Sequence, residues 1–293
     1  MPAASEFMSK IYMVSGKGGV GKSTIAASLG HLFASRGHKT LLVELGNNSY
    51  FNYIYLKKFG IEGQNVAPNL DVAVWSGESC LKEFIGYYIR LSAVVDLFFE
   101  NKIMKTLIKA APALQELAIL GKLTSGPRKI GPKLAYDRIV LDGFSSGHFL
   151  SLLRVPKAMA EAIPLGPMGQ QSQNIHKVLI DENLCNYIWV STCEDLPIQE
   201  SIEFTNLIES EFNIKFEIIL NKMVTKKVPD LSEEDDSSFA QFLKKKIERE
   251  VKAKKLLASL NKSFFECPIS LSGDEKERIL QLSKILESHE QLA

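Results

Sequence analysis

Near its amino terminus the chain reads Ile11-Tyr12-Met13-Val14-Ser15-Gly16-Lys17-Gly18-Gly19-Val20-Gly21-Lys22-Ser23-Thr24, and this stretch decides the fold. Ile11 to Val14 is a short apolar run ending in Ser15-Gly16, the pattern of a buried parallel strand delivering the chain into a glycine loop. Ile25, Leu29, Leu32 and Phe33 then recur at helical spacing, and Gly37 stands where a left-handed cap belongs. Between strand and helix, Gly16 to Ser23 fits G-x-x-x-x-G-K-[ST], the phosphate-binding loop. Glycines let backbone N–H groups turn toward phosphates, and the helix that follows adds the positive end of its dipole. In this reading Gly16, Gly18, Gly19, Val20 and Gly21 form the backbone cradle and Lys22 reaches the β- and γ-phosphates. Ser23 places its hydroxyl on Mg2+, with Thr24 beside it on the nucleotide side. A plain glycine turn would leave the Lys-Ser pair unexplained, so the expected ligands are ATP and Mg2+.

Outward from the loop, Leu41 to Leu45, Leu70 to Trp75, Arg138 to Leu141, Tyr187 to Val190 and Phe216 to Leu220 are further β-rich runs separated by helical stretches. The alternation predicts an α/β fold, a P-loop NTPase with a mostly parallel sheet covered by helices on both faces. Between Leu81 and Leu123 the pattern turns helix-rich. Pro112 opens a last helix, Ala113 to Leu120, that Gly121 is expected to cap. We read this as a helical insertion, about 81–128, in a single domain spanning 8–293. Residues Pro2 to Phe7, ahead of a second methionine at Met8, resemble an expression scar. A second helical stretch is expected between Phe239 and Leu260, where the acids Glu233 to Asp236 precede the bases Lys244 to Lys246 and Lys252 to Lys255.

Composition narrows the function classes. Thirty-five basic and thirty-four acidic residues leave a formal charge of +1, so no global field recruits nucleic acid or an anionic membrane. The basic helix lacks aromatic or glycine interleaving and reads as a solvated face. No apolar run approaches the roughly 18 residues needed to span lipid and no cleavable leader is visible, so a cytoplasmic location without stable membrane insertion is expected. Cys80, Cys185, Cys193 and Cys267 form no C-x-x-C pair and are expected to be buried free thiols.

Lys17 makes the loop distinctive. Lys17-Gly18-Gly19-Val20-Gly21-Lys22-Ser23 resembles the deviant, two-lysine Walker A motif of ArsA-like, MinD-like and ParA-like ATPases and nitrogenase iron protein. In that superclass the first lysine reaches a partner's nucleotide, so the resemblance implies a nucleotide-sandwich dimer; a solvated loop lysine is the alternative. Tyr136 to Asp142, followed by Ser145-Ser146-Gly147-His148-Phe149-Leu150, resembles the ArsA-type strand and its D-T-A-P-T-G-H-T-L signature. This implies that Asp142 holds magnesium through water and that Gly147-His148 belongs to the switch sensing the γ-phosphate. The likeness continues through Glu194-Asp195-Leu196-Pro197-Ile198-Gln199-Glu200 and Ile218-Ile219-Leu220-Asn221-Lys222. It implies an adenine contact for Asn221, and more weakly an adenine-edge loop near Pro268.

The chain also departs from that family. ArsA-like proteins, including the targeting ATPase for tail-anchored membrane proteins, carry D-P-A-H-S after the second strand, and its aspartate positions the attacking water. Here the chain reads Glu44-Leu45-Gly46-Asn47-Asn48-Ser49, with Gly46 at that position and Glu44 two residues earlier as the candidate carboxylate. The metal-binding C-x-x-C and the arsenite-sensing cysteines are absent, and of seven methionines only Met104 falls between Leu81 and Leu123. Neither family's client can therefore be carried over, and the client protein of the expected switch is left unidentified by the sequence. The expected activity is a dimeric switch ATPase, with Lys17, Lys22, Glu44 and Asp142 as catalytic candidates and slow hydrolysis. The alternative is a non-hydrolysing nucleotide-binding subunit paired with an ArsA-like paralogue. Electron transfer would need cysteine ligands that this pattern lacks.

Overall fold

Alternation along the strands sets the architecture. In β1 (Lys10–Gly16), Ile11 and Met13 join one apolar layer while Tyr12 and Val14 join the other, and all four are buried. The computed structural model describes residues 10–46, 49–88, 101, 111–132, 134–224, 237–270 and 272–288. Among these, β2 (Thr40–Leu45), β4 (Leu70–Trp75), β5 (Arg138–Ser145), β6 (Cys185–Ser191), β7 (Phe216–Met223) and β8 (Phe264–Pro268) run parallel to β1. One short strand, β3 (Gln64–Ala67), pairs antiparallel with β4, and the sheet order is β3-β4-β2-β5-β1-β6-β7-β8. With β1 flanked by β5 and β6, the loop after Gly16 leaves from the middle of the sheet.

Helices cover both faces, as expected for parallel strands buried on each side. On one face lie α1 (Lys22–Ser35), α2 (Tyr50–Ile54) and, closing the described chain, Glu275–Leu286. Ile25, Leu29, Phe33, Phe51, Ile279 and Leu282 pack there with Tyr12, Val14 and Val140. The other face carries α3 (Gly77–Tyr88), α4 (Pro112–Leu123), α5 (Ser125–Arg128), α6 (Ser146–Ala162), α7 (Pro167–Leu179), α8 (Asp195–Phe212) and α9 (Ser238–Ser259). Glu275–Leu286 is α10. Leu120, Phe149, Leu152, Ile175 and Phe204 pack against Met13, Leu141 and Trp189. Removing one such side chain, as in Leu141→Ala, costs about 2–5 kcal/mol. Among the described residues no helix is long and apolar enough to cross a membrane.

The structure revises several element boundaries. Gly121 does not cap α4: the helix runs on to Leu123, and Thr124 closes it with its hydroxyl on Leu120 O at 2.7 Å. Gly121 instead offers its carbonyl to Arg128 Nη2 at 2.5 Å. Two edge strands have no forecast above. β3 is a four-residue Gln-Asn-Val-Ala segment whose hairpin turns at Pro68-Asn69, with Asn69 at φ 59°. β8 is defined by pairing with β7 rather than by its own pattern. The segment before Met8, Glu233 to Asp236, and Met104 lie outside the described residues. All four cysteines are free and buried.

Candidate functional site

The site grows from the junction of β1 and α1. Gly16 ends the strand, Lys17, Gly18 and Gly19 form the outer turn, Val20 is buried, and Gly21 leads into α1 at Lys22. Gly21 has φ 97°, and a Cβ there would lie 2.4 Å from Asn221 Nδ2, so backbone strain and close approach both require glycine. Lys22 Nζ donates to Lys17 O at 3.0 Å, folding the lysine over its own loop. Burial lowers its proton affinity while Asp142 opposes that shift.

Asp142 reaches the same place from β5, beside Glu44 of β2 in the sheet register. It is almost fully enclosed, and burial pushes its carboxyl up to about 7; Ser23 and Lys22 work against this, while Glu44 adds to it. Its Oδ1 is buried without a hydrogen-bond partner among the described residues. A buried carboxylate oxygen without a donor is costly in a protein of this kind. The presence of Ser23 and Lys22 beside it is the chemistry of a magnesium–phosphate site, and the donor set fits Mg2+, which takes few protein ligands.

Glu44 has a different set of partners from those its sequence position suggests. Its Oε2 accepts from Ser49 Oγ at 2.6 Å and from Phe51 N at 3.2 Å, and its Oε1 accepts from Tyr50 N at 2.8 Å. The carboxylate therefore holds the amino-terminal N–H groups of α2. Gly46, two residues on, lies at φ 132° and donates its N–H to Trp75 O at 2.9 Å. Asn47 and Asn48 lie outside the described residues.

Asn221 reaches the loop from β7, two strands away from β1 in the sheet, whereas nothing brings Pro268 of β8 against the loop among the contacts of the described residues. Asn221 is buried at the end of β7; its amide donates to Val20 O at 2.9 Å and accepts from Lys222 N at 2.9 Å. Lys222 adds a bond from Nζ to Gly19 O at 2.9 Å, so two consecutive residues of β7 clamp the phosphate loop. Pro268 closes β8 opposite Met223. Thr24 Oγ1 lies 3.5 Å from Tyr50 OH, which also hydrogen-bonds Glu275 of α10.

The structure also supplies partners that motif spacing does not reveal. Lys17 Nζ pairs with Glu200 Oε2 at 2.9 Å, and Ser146 Oγ donates to Glu200 Oε1 at 2.6 Å. His148 stacks on Phe144 and pairs through Nε2 with Glu116 Oε1 at 3.2 Å, joining α6 to α4. Glu200 and His148 stand within the quoted family stretches, but nothing in their spacing reveals these partners. Glu116 carries no sequence signal at all.

A parallel sheet whose central strand runs through a glycine loop into a helix, with an aspartate from the adjacent strand, defines the P-loop NTPase class. The profile of the anion-transporting ATPase family matches residues 9–165, more than half of the chain, and the chain belongs to this family. It is 30% identical over 207 residues to the ATPase BagA of Mycobacterium tuberculosis, covering 66% of this chain and 59% of that protein. An ATPase ASNA1 homolog of Entamoeba dispar is 25% identical over 257 residues, with 73% and 76% covered. The ATPase ASNA1 homolog 2 of Paramecium tetraurelia is 26% identical over 163 residues, with 53% and 46% covered. The chain thus spans about three fifths of the length of the mycobacterial relative it matches.

Proposed function

We propose that the chain binds Mg-ATP at Gly16 to Thr24 and acts as a slow, dimeric ATP-switched ATPase. The observation that carries this reading is that Ser23 and Lys22 both act on Asp142, whose buried Oδ1 has no hydrogen-bond partner among the described residues. Lys22 neutralises phosphate charge, and Ser23 and Asp142 would hold Mg2+, which supplies further positive charge to the β- and γ-phosphates. His148, at the start of the helix after Asp142, is bonded to Glu116 of α4; this contact gives the γ-phosphate end of the site a route into the helical segment and from there to a client protein.

Gly46 leaves no carboxylate at the water-positioning place, and Glu44 is occupied by the N–H groups of α2, which supports slow turnover. The same observation favours the second reading, a nucleotide-retaining subunit whose ArsA-like paralogue supplies the missing group. For Asn221 the geometry supports a clamp on Val20 as its first task, with adenine contact an added use of its amide.

Light scattering with and without Mg-ATP tests the dimer. The chain should associate with nucleotide, and Lys17→Ala should weaken association while sparing most binding to the monomer. A chain that stays monomeric at saturating Mg-ATP, alone and with a paralogue, would sink the sandwich reading.

A further inference from the structure

Glu200 uses its two oxygens on two different elements. Oε2 takes the Lys17 ammonium at 2.9 Å, and Oε1 takes the Ser146 hydroxyl at 2.6 Å. Lys17 belongs to the phosphate loop, and Ser146 is the first residue of α6, four residues after Asp142. The backbone that carries the glutamate is anchored, because its neighbour Ser201 is buried in α8, donates to Pro197 O at 2.6 Å and accepts from Trp189 Nε1 of β6 at 2.7 Å. Burial would raise the Glu200 carboxyl, but Ser146 and Lys17 outweigh it and hold the group below the usual carboxylate range.

We infer that Glu200 is a positioning residue that keeps Lys17 within its own protomer and ties it to Ser146, so that Lys17 becomes available to a partner only when this bridge opens. The second half rests on the dimeric reading above. Lys17 is engaged at both ends, its ammonium by Glu200 and its carbonyl by Lys22 Nζ at 3.0 Å. Phosphate that draws Lys22 off the Lys17 carbonyl loosens the loop end of the bridge, and movement of α6 withdraws Ser146 from the other end. Binding and switching thereby act on one glutamate. About a third of the Lys17 side chain and a quarter of the Glu200 side chain face solvent, so the pair is exchangeable. An accessible ion pair of this kind contributes a factor of up to about five. Two such bridges open in a symmetric dimer, and their loss should strengthen association by up to about twenty-five-fold.

Two measurements on Glu200→Gln test this, since the amide keeps an acceptor for Ser146 and loses the charge that holds Lys17. The first is acetylation of the full chain by an N-hydroxysuccinimide ester without nucleotide, mapped by peptide mass spectrometry with exposed Lys215 as internal reference. Lys17 should react severalfold faster in the variant, and an unchanged rate would overturn the bridge. The second is the Mg-ATP concentration at half-maximal dimerisation, which should fall about two- to fivefold. The gain should vanish in the Glu200→Gln, Lys17→Ala double variant. Faster acetylation with an unmoved or higher threshold overturns the link to closure. A wild-type chain that stays monomeric with Mg-ATP removes that link together with the dimeric reading, and the acetylation comparison still judges the bridge by itself.

Discussion

Lys22 and His31 stand nine residues apart in sequence, and both are bases whose burial disfavours the proton. At Lys22 the carboxyl of Asp142 opposes that effect, and with the phosphates the ammonium should make two charge-assisted contacts, each worth about 1.5–3 kcal/mol. Lys22→Ala is therefore expected to weaken Mg-ATP binding by about a hundredfold or more in titration calorimetry; unchanged affinity would place the nucleotide elsewhere. His31 lies in α1 with Nε2 3.0 Å from Tyr55 OH, and burial, followed by the charge of Lys276, brings its pKa down to about 4. Between about 4 and the ordinary 6.5 the unfolded chain binds a proton that the folded chain refuses. This contribution is full above 6.5 and is lost as pH falls toward 4. Denaturant titrations at pH 7 and pH 5 should show the wild type losing about 1–2 kcal/mol more than His31→Gln, and equal losses would contradict the assignment.

At the scale of elements, the long helices and central strands are written in local periodicity, but α2 is not. It has five residues, too few to stand on propensity, and its first N–H groups depend on Glu44 and on Ser49, which accepts from Asn52 N at 3.0 Å. Glu44→Gln puts an amide donor against backbone donors. We expect a loss of about 2 kcal/mol, on the order of 5 °C in Tm, together with faster hydrogen exchange confined to 49–55. An unaltered exchange pattern would return Glu44 to the phosphate side of the site. Gly121 teaches the same lesson in reverse: a glycine near a helix end reads as a cap, yet here the helix continues through it to Leu123.

For the whole molecule the question is rate. With Gly46 in the place of a water-positioning carboxylate, steady-state phosphate release by the purified chain should fall below about 1 per second, the lower end of ordinary turnover. Gly46→Asp alone should not restore it, because φ 132° strains any side-chain residue by about 1–3 kcal/mol. Fast release by the chain alone, abolished in Glu44→Gln, would make Glu44 the working carboxylate. The sequence alone determined the loop from Gly16 to Ser23, the strand that presents Asp142 and the parallel α/β fold. These depend on contiguous residues, where strand period, helix period and glycine geometry are encoded locally. Tertiary structure alone decided that Glu200 holds Lys17, that Glu44 serves α2, and that Asn221 grips Val20 across 201 positions of chain. Edge strands β3 and β8 belong with these, since pairing with a neighbour defines them. Such partners are chosen by which elements the sheet order sets side by side, and no local pattern records that choice.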